Sequence, residues 1–190
     1  MKKLFVWMLC ISIAFSCNTA ATKDETSGTG DTTSTASGTS GRFRKIEVAD
    51  EKYIEIGRAG LAALTSGDID SWMSQYADNA VYQWNSGDSI NGKAAIAGYW
   101  KKRRSEVIDS VAFSNMIWLP ARVLESQANE EPGVWLLGWY TVNVKYKSGN
   151  NMTQSIHTVM HFDANDKIDR VVQYLDRAPI NAAVSSKPGK

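Results

Sequence analysis

Four long segments in the second half of the chain, at residues 110–124, 134–146, 152–162 and 168–175, alternate in polarity and are rich in β-branched and aromatic side chains. A period of two over that length is a strand signal. The turn formers Lys147-Ser148-Gly149-Asn150 and Ala164-Asn165-Asp166 make the last three antiparallel neighbours. Upstream the period changes. Residues 47–64 place Val48, Ile54, Ile56, Leu61 and Leu64 at helical spacing, and Thr65-Ser66-Gly67 ends that helix. Asp68 caps a second, short helix through Trp72, Met73 and Tyr76. Residues 80–84 read as a strand with Asn85-Ser86-Gly87-Asp88 as its turn. Asn91-Gly92 then opens a third helix, which carries Ile96, Tyr99 and Trp100 and ends in Lys101-Lys102-Arg103-Arg104. Helices grouped before an antiparallel sheet predict an α+β domain.

The first 16 residues have a different logic. Two lysines precede an apolar run from Leu4 to Phe15, too short to span a bilayer, and Ser16 is followed by Cys17. This is the pattern of a bacterial secretory signal. The segment Ala14-Phe15-Ser16-Cys17 resembles a lipoprotein lipobox, which implies that the Cys17 thiol receives a diacylglyceryl group and becomes the mature N-terminus. Residues 18–41 contain eight Thr, four Ser and four Gly, too little apolar surface to offset the entropy of ordering. They are expected to form a tether with a coil span of roughly 27 Å. The folded domain is therefore residues 42–190, and the expected location is the cell envelope, lipid-anchored at the outer membrane. Loss of Lys2 and Lys3 with the signal lowers the formal charge from +1 to −1, which argues against nucleic acid as a partner. Cys10 and Cys17 are the only cysteines. The domain thus has no disulfide, thiol nucleophile or thiolate ligand.

Five fragments carry a family resemblance: Leu64-Thr65-Ser66-Gly67-Asp68-Ile69-Asp70, Tyr76-Ala77-Asp78-Asn79-Ala80-Val81, Ile90-Asn91-Gly92-Lys93-Ala94-Ala95-Ile96, Asp166-Lys167-Ile168 and Tyr174-Leu175-Asp176. In this order and spacing, over residues 46–178, they resemble the SnoaL-like branch of the superfamily of nuclear transport factor two and ketosteroid isomerase. The resemblance implies a cone-like, strongly curved antiparallel sheet wrapped around three N-terminal helices, with an apolar cavity between them. Its members include isomerases, cyclases, dehydratase-like enzymes and binding domains without chemistry, so fold alone does not settle function. Steroid isomerases of this kind use a tyrosine, a protonated aspartic acid and a proton-moving aspartate. Counting along the fragments puts Gly60, Met160 and Trp84 at those positions. A glycine, a thioether and an indole supply neither base nor acid, so no catalytic residue is assigned.

Other candidates reduce to ordinary roles. His157 and His161 are four residues apart on a strand, about 13 Å at ~3.3 Å per residue, and cannot share an ion. They read as surface or interface histidines, and neither metal nor cofactor is expected. Lys101 to Arg104 compensate a helix dipole and read as a solvated helix end. Asn151-Met152-Thr153 matches a glycosylation sequon that carries no weight behind a bacterial signal. Asp176 reads as a cap for the C-terminal tail.

The aromatic residues say more. Along 134–146 the even positions form one apolar face, and the odd face is also apolar at Trp135, Leu137 and Trp139. A strand that is apolar on both faces needs cover on both. That cover is either a second subunit, the arrangement the resemblance implies, or the C-terminal tail. On the opposite face Tyr82, Trp84, Tyr140, Thr158 and Met160 converge, with Tyr53, Gly57 and Gly60 on the facing side of the first helix. Each helix glycine costs roughly 1 kcal/mol against alanine, and the expected return is space. These residues either frame a pocket for a small, flat, apolar ligand or fill a plain aromatic core. The expected function is a lipid-anchored, homodimeric envelope domain that binds a small apolar ligand or a protein partner; the alternatives are an isomerase, cyclase or dehydratase with unusual catalytic groups, and an interaction module without ligand.

Overall fold

The structure, a computed structural model, describes residues 45–126 and 131–185. The signal, Cys17 and tether assignments lie outside the described residues. The elements run β1 (Ile46–Val48), α1 (Lys52–Ser66), α2 (Ile69–Met73), β2 (Tyr76–Trp84), β3 (Ser89–Asn91), α3 (Lys93–Glu106), β4 (Ile108–Val123), β5 (Gly133–Tyr146), β6 (Asn151–Phe162), β7 (Ile168–Tyr174) and α4 (Arg177–Ser185). One sheet holds all seven strands in the order β1-β4-β5-β6-β7-β2-β3, so it is curved but unclosed. Every neighbouring pair is antiparallel except β2 with β7, which is parallel. The mixed α+β architecture expected from the sequence is present.

Several boundaries differ from the sequence reading, each for a local reason. The stretch read as the start of the first helix is the edge strand β1, where Ile46 and Val48 pair with β4 and lie exposed. The helix starts later, where the Asp50 carboxylate accepts the Lys52 N–H at 2.8 Å. Tyr76 belongs to β2, because α2 stops at Met73 and Tyr76 pairs with Ile168. Residues 177–185 form a fourth helix. Asp176 accepts the N–H of Ala178 at 2.8 Å and caps the start of α4, and Pro179 fits its first turn.

Curvature comes from backbone irregularities. β4 slips register against β5 between Ser114 and Ile117, and Asn115 there takes φ 53, a left-handed conformation that Asn tolerates. β2 slips likewise between Tyr76 and Val81. Helices α1, α2 and α3 fill the concave side, where Leu136, Tyr140, Val142, Val144 and Tyr146 are buried. The helix glycines line the concave space and also admit large side chains close to the helix. A β-carbon at Gly57 would come 2.8 Å from Leu136 and 3.0 Å from Trp118, and one at Gly60 would come 3.2 Å from Trp72. Their return is close approach of large side chains. Among the described residues no helix is long and apolar enough to cross a membrane.

Candidate functional site

The concave face and the helices enclose an inner cavity of about 100 Å³. The period of β5 and β6 turns Tyr140, Val142, Thr158 and Met160 into it, and α1 contributes Gly60, Leu61 and Leu64. Trp72 of α2 is the hub of its aromatic wall, with ring centroids 5.3 Å from Tyr76, 5.5 Å from Trp100 and 6.4 Å from Tyr82, all near perpendicular. Edge-to-face packing of this kind fixes ring positions as well as burying area.

Two buried hydrogen bonds set the polarity of the floor. Tyr82 Oη donates to Gln173 Oε1 at 2.9 Å, and the Tyr140 and Thr158 hydroxyls are 2.7 Å apart. Burial pushes the Tyr76 and Tyr82 phenols well above their ordinary value, and raises Tyr140 while Thr158 and Gln173 act in the opposite sense. All three stay neutral at physiological pH. Four polar atoms of the wall have no protein partner among the described residues: Tyr76 Oη, Trp100 Nε1, Arg104 Nε and Gln154 Nε2.

A wider vestibule of about 410 Å³ adjoins the cavity, and Trp100, Arg103, Gln173, Leu175 and Ile180 line both. Trp84 lies here, beside Tyr82 at 5.2 Å and Tyr99 at 5.5 Å. The Arg177 guanidinium stacks 5.4 Å from its ring and binds Asp88 at 2.5 Å. Ile180 of α4 closes part of the mouth, and α4 is held by Ser148 and Asn150 donating to the Ala183 carbonyl at 2.8 and 2.9 Å.

The residues singled out from sequence therefore separate. Tyr82, Tyr140, Thr158 and Met160 line the inner cavity, and Trp84 lines the vestibule. Tyr53 lines neither. Its hydroxyl donates to Asp166 at 2.6 Å and its ring packs on Phe162 at 4.7 Å, which draws it to the β6–β7 turn. Of the three positions that would hold isomerase groups, Gly60 and Met160 are in the cavity wall and Trp84 is outside it. None of the residues lining either space is a carboxylate or an imidazole.

Sequence reasoning missed Tyr76, Trp100, Gln154, Gln173 and the two arginines. The expectation of a solvated helix end holds for Lys101, bound to Asp70 at 2.6 Å, and for exposed Lys102. It fails for Arg103 and Arg104, which are half-buried and line the cavity. Their signal was present: Ile96, Trp100, Arg103 and Arg104 recur at helical spacing on the buried face.

On the outer face, Trp135, Leu137 and Trp139 are not equivalent. Trp135 is only 5% exposed, because its own chain covers it: its indole donates to the Glu131 carbonyl at 3.0 Å and packs on His161 at 4.6 Å. Leu137 is half-buried. Trp139 stacks on His157 at 4.5 Å, and His157 stacks on Tyr174 at 5.5 Å. The C-terminal helix leaves Trp139 uncovered and packs at the cavity mouth instead. His161 binds Asp169 at 2.6 Å through Nδ1, and His157 Nδ1 meets the Gly138 carbonyl at 3.0 Å. Among the described residues no group of three or more His, Cys, Asp or Glu is placed to hold a metal.

Comparison with known proteins agrees with this architecture. The solved structures it resembles include a candidate polyketide cyclase from Xanthomonas campestris pv. campestris, with TM-score 0.57 and 18% identity over 71% of this chain and 98% of that one. A candidate isomerase from Bacillus subtilis superposes with TM-score 0.56 and 20% identity, over 73% of this chain and 97% of that one. An NTF2-like protein of unknown function from Burkholderia pseudomallei gives TM-score 0.54 and 14% identity, over 70% and 97%. These likenesses carry the fold alone. A search of curated proteins gives no significant match. The SnoaL-like domain family matches residues 58–171, more than half of the chain, and the chain belongs to that family.

Proposed function

We propose that this is a binding domain whose inner cavity holds one small, flat, apolar molecule, on a protein anchored to the cell envelope through lipid at Cys17. The observation that carries the reading is the cavity wall itself: aromatic and aliphatic on most sides, with no carboxylate or imidazole to move a proton. Candidate cyclase and isomerase structures share the fold, and the positions where the steroid-isomerase resemblance implies catalytic groups hold Gly60, Met160 and Trp84 in this chain. At about 100 Å³ the space is smaller than the engineered apolar cavities of about 150 Å³ that accept benzene, so a single ring is the upper limit of its occupant.

The same reading includes a homodimer through the outer face of the sheet. Ile117, Trp139, His157 and Tyr174 face one another across four adjacent strands. Three of them leave large apolar area in water, with Ile117 64%, Tyr174 48% and Trp139 39% exposed.

Toluene titration followed by tryptophan fluorescence tests the cavity, because Trp72 and Trp100 both line it. Saturable quenching is expected in the wild type and should vanish in Val142→Phe, which fills the space, while the circular dichroism spectrum is unchanged. Quenching that survives Val142→Phe would place the binding elsewhere.

A further inference from the structure

The hydrogen-bonding capacity of the cavity wall is unevenly used. Gln173 Oε1 takes the Tyr82 hydroxyl, Gln154 Oε1 takes the Asp176 N–H at 3.1 Å, and the Tyr140 and Thr158 hydroxyls are paired. Several other groups that can donate are left without a protein partner among the described residues. The bond from Asp176 fixes the Gln154 amide so that Nε2 is the atom without a protein partner. Trp100 Nε1 can only donate, and it has no protein partner among the described residues. Tyr76 is 1% exposed, and its hydroxyl is likewise unpartnered. One further donor stands at the junction of cavity and vestibule. Arg103 lines both spaces one helical turn beyond Trp100, its guanidinium lies 5.6 Å from the Tyr99 ring, and no carboxylate among the described residues forms an ion pair with it.

A polar atom buried without a partner is costly, and a buried cation more so unless an anion joins it. An occupant without acceptors would leave the unpartnered donors unmet, and a cationic one would meet Arg103 with the wrong sign. An occupant with an anionic oxygen group answers both at once. Resting on the binding function proposed above, we infer that the site is selective for small aromatic carboxylates, with the ring in the inner cavity and the carboxylate at Arg103 where the cavity meets the vestibule. Arginine suits this place because its planar fork matches a carboxylate bidentately.

Calorimetric titration of the full chain with three probes of similar shape, benzoate, toluene and benzylammonium, tests the inference. Benzoate should bind at least about tenfold more tightly than toluene, as expected for a charge-assisted hydrogen bond to a half-buried arginine, and benzylammonium should bind weakest. Arg103→Met keeps an apolar stem and should lower benzoate affinity about tenfold while leaving toluene affinity within about twofold. Tyr76→Phe should also weaken benzoate more than toluene. Because no protein group depends on that hydroxyl, its melting temperature should stay within about 2 °C of the wild type, so the second variant serves if the first folds poorly. Equal affinity for benzoate and toluene, or a benzoate preference that survives both substitutions, overturns the acid selectivity and leaves the apolar cavity standing. Failure of all three probes overturns the binding function itself and the inference with it.

Discussion

Trp118 illustrates how single residues set this core. Its indole lies in a notch between α1 and β5, where a β-carbon at Gly57 would come within 3.0 Å and one at Gly138 within 2.4 Å. A side chain at Gly138 would require the indole to move, and one at Gly57 would require Leu136 to move as well. Gly138→Ala should therefore cost about 1–3 kcal/mol, the range for overpacking a tight core. Urea unfolding checks it, and a change within about 0.5 kcal/mol would mean that the indole shifts freely. A second site pairs charge with position. Asp166 sits at φ 57 in the β6–β7 turn and receives both Tyr53 and Lys52, at 2.6 and 2.7 Å. Those hydrogen bonds, Lys52 first, hold its carboxyl below the ordinary value, so the stability it lends is present at neutral pH and lost as pH falls through its folded value.

Among elements, α4 separates what the sequence could reveal from what it could not. Residue alternation made β4 to β7 legible to within a few residues, and Gly67 and Asp68 marked the break between α1 and α2. The short edge strands β1 and β3, three residues each, lack the length for any periodicity. α4 was legible only as a capping aspartate, since its helical face is defined by the mouth it covers. The cavity was read half correctly for a related reason. Strand phase identified Tyr82, Tyr140, Thr158 and Met160, whereas the helix-borne wall depends on how α3 is rotated against the sheet, which charge content obscured at Arg103 and Arg104. Asp176→Ala removes the α4 cap and should destabilise that helix by about 0.5–2 kcal/mol. Amide exchange should then accelerate in α4 while the paired amides of β5 and β6 keep their protection. Equal acceleration in both would mean that α4 unfolds only with the core.

At the scale of the whole molecule, the two proposed attachments use opposite resources. Membrane attachment would rest on acyl chains at Cys17, each buried CH₂ contributing about 0.8 kcal/mol, and Cys17→Ser should move the protein from the membrane to the soluble fraction. Unchanged fractionation would show that something else holds it. Self-association would rest on the outer sheet face, where Trp139→Lys puts a charge among Ile117, His157 and Tyr174. That variant should weaken the dimer by about 2 kcal/mol or more, roughly thirtyfold, in sedimentation of the full chain. A wild-type monomer, or a lysine variant that dimerises equally well, contradicts the interface.

The cavity is the claim on which function depends, and its occupant can be located directly. A crystal of the protein soaked in bromobenzene should show anomalous bromine density inside the cone, between Trp100 of α3 and the floor formed by Tyr82, Tyr140 and Met160. Density confined to the vestibule around Trp84 and Tyr99, or to the outer face around Trp139, would contradict an internal ligand site.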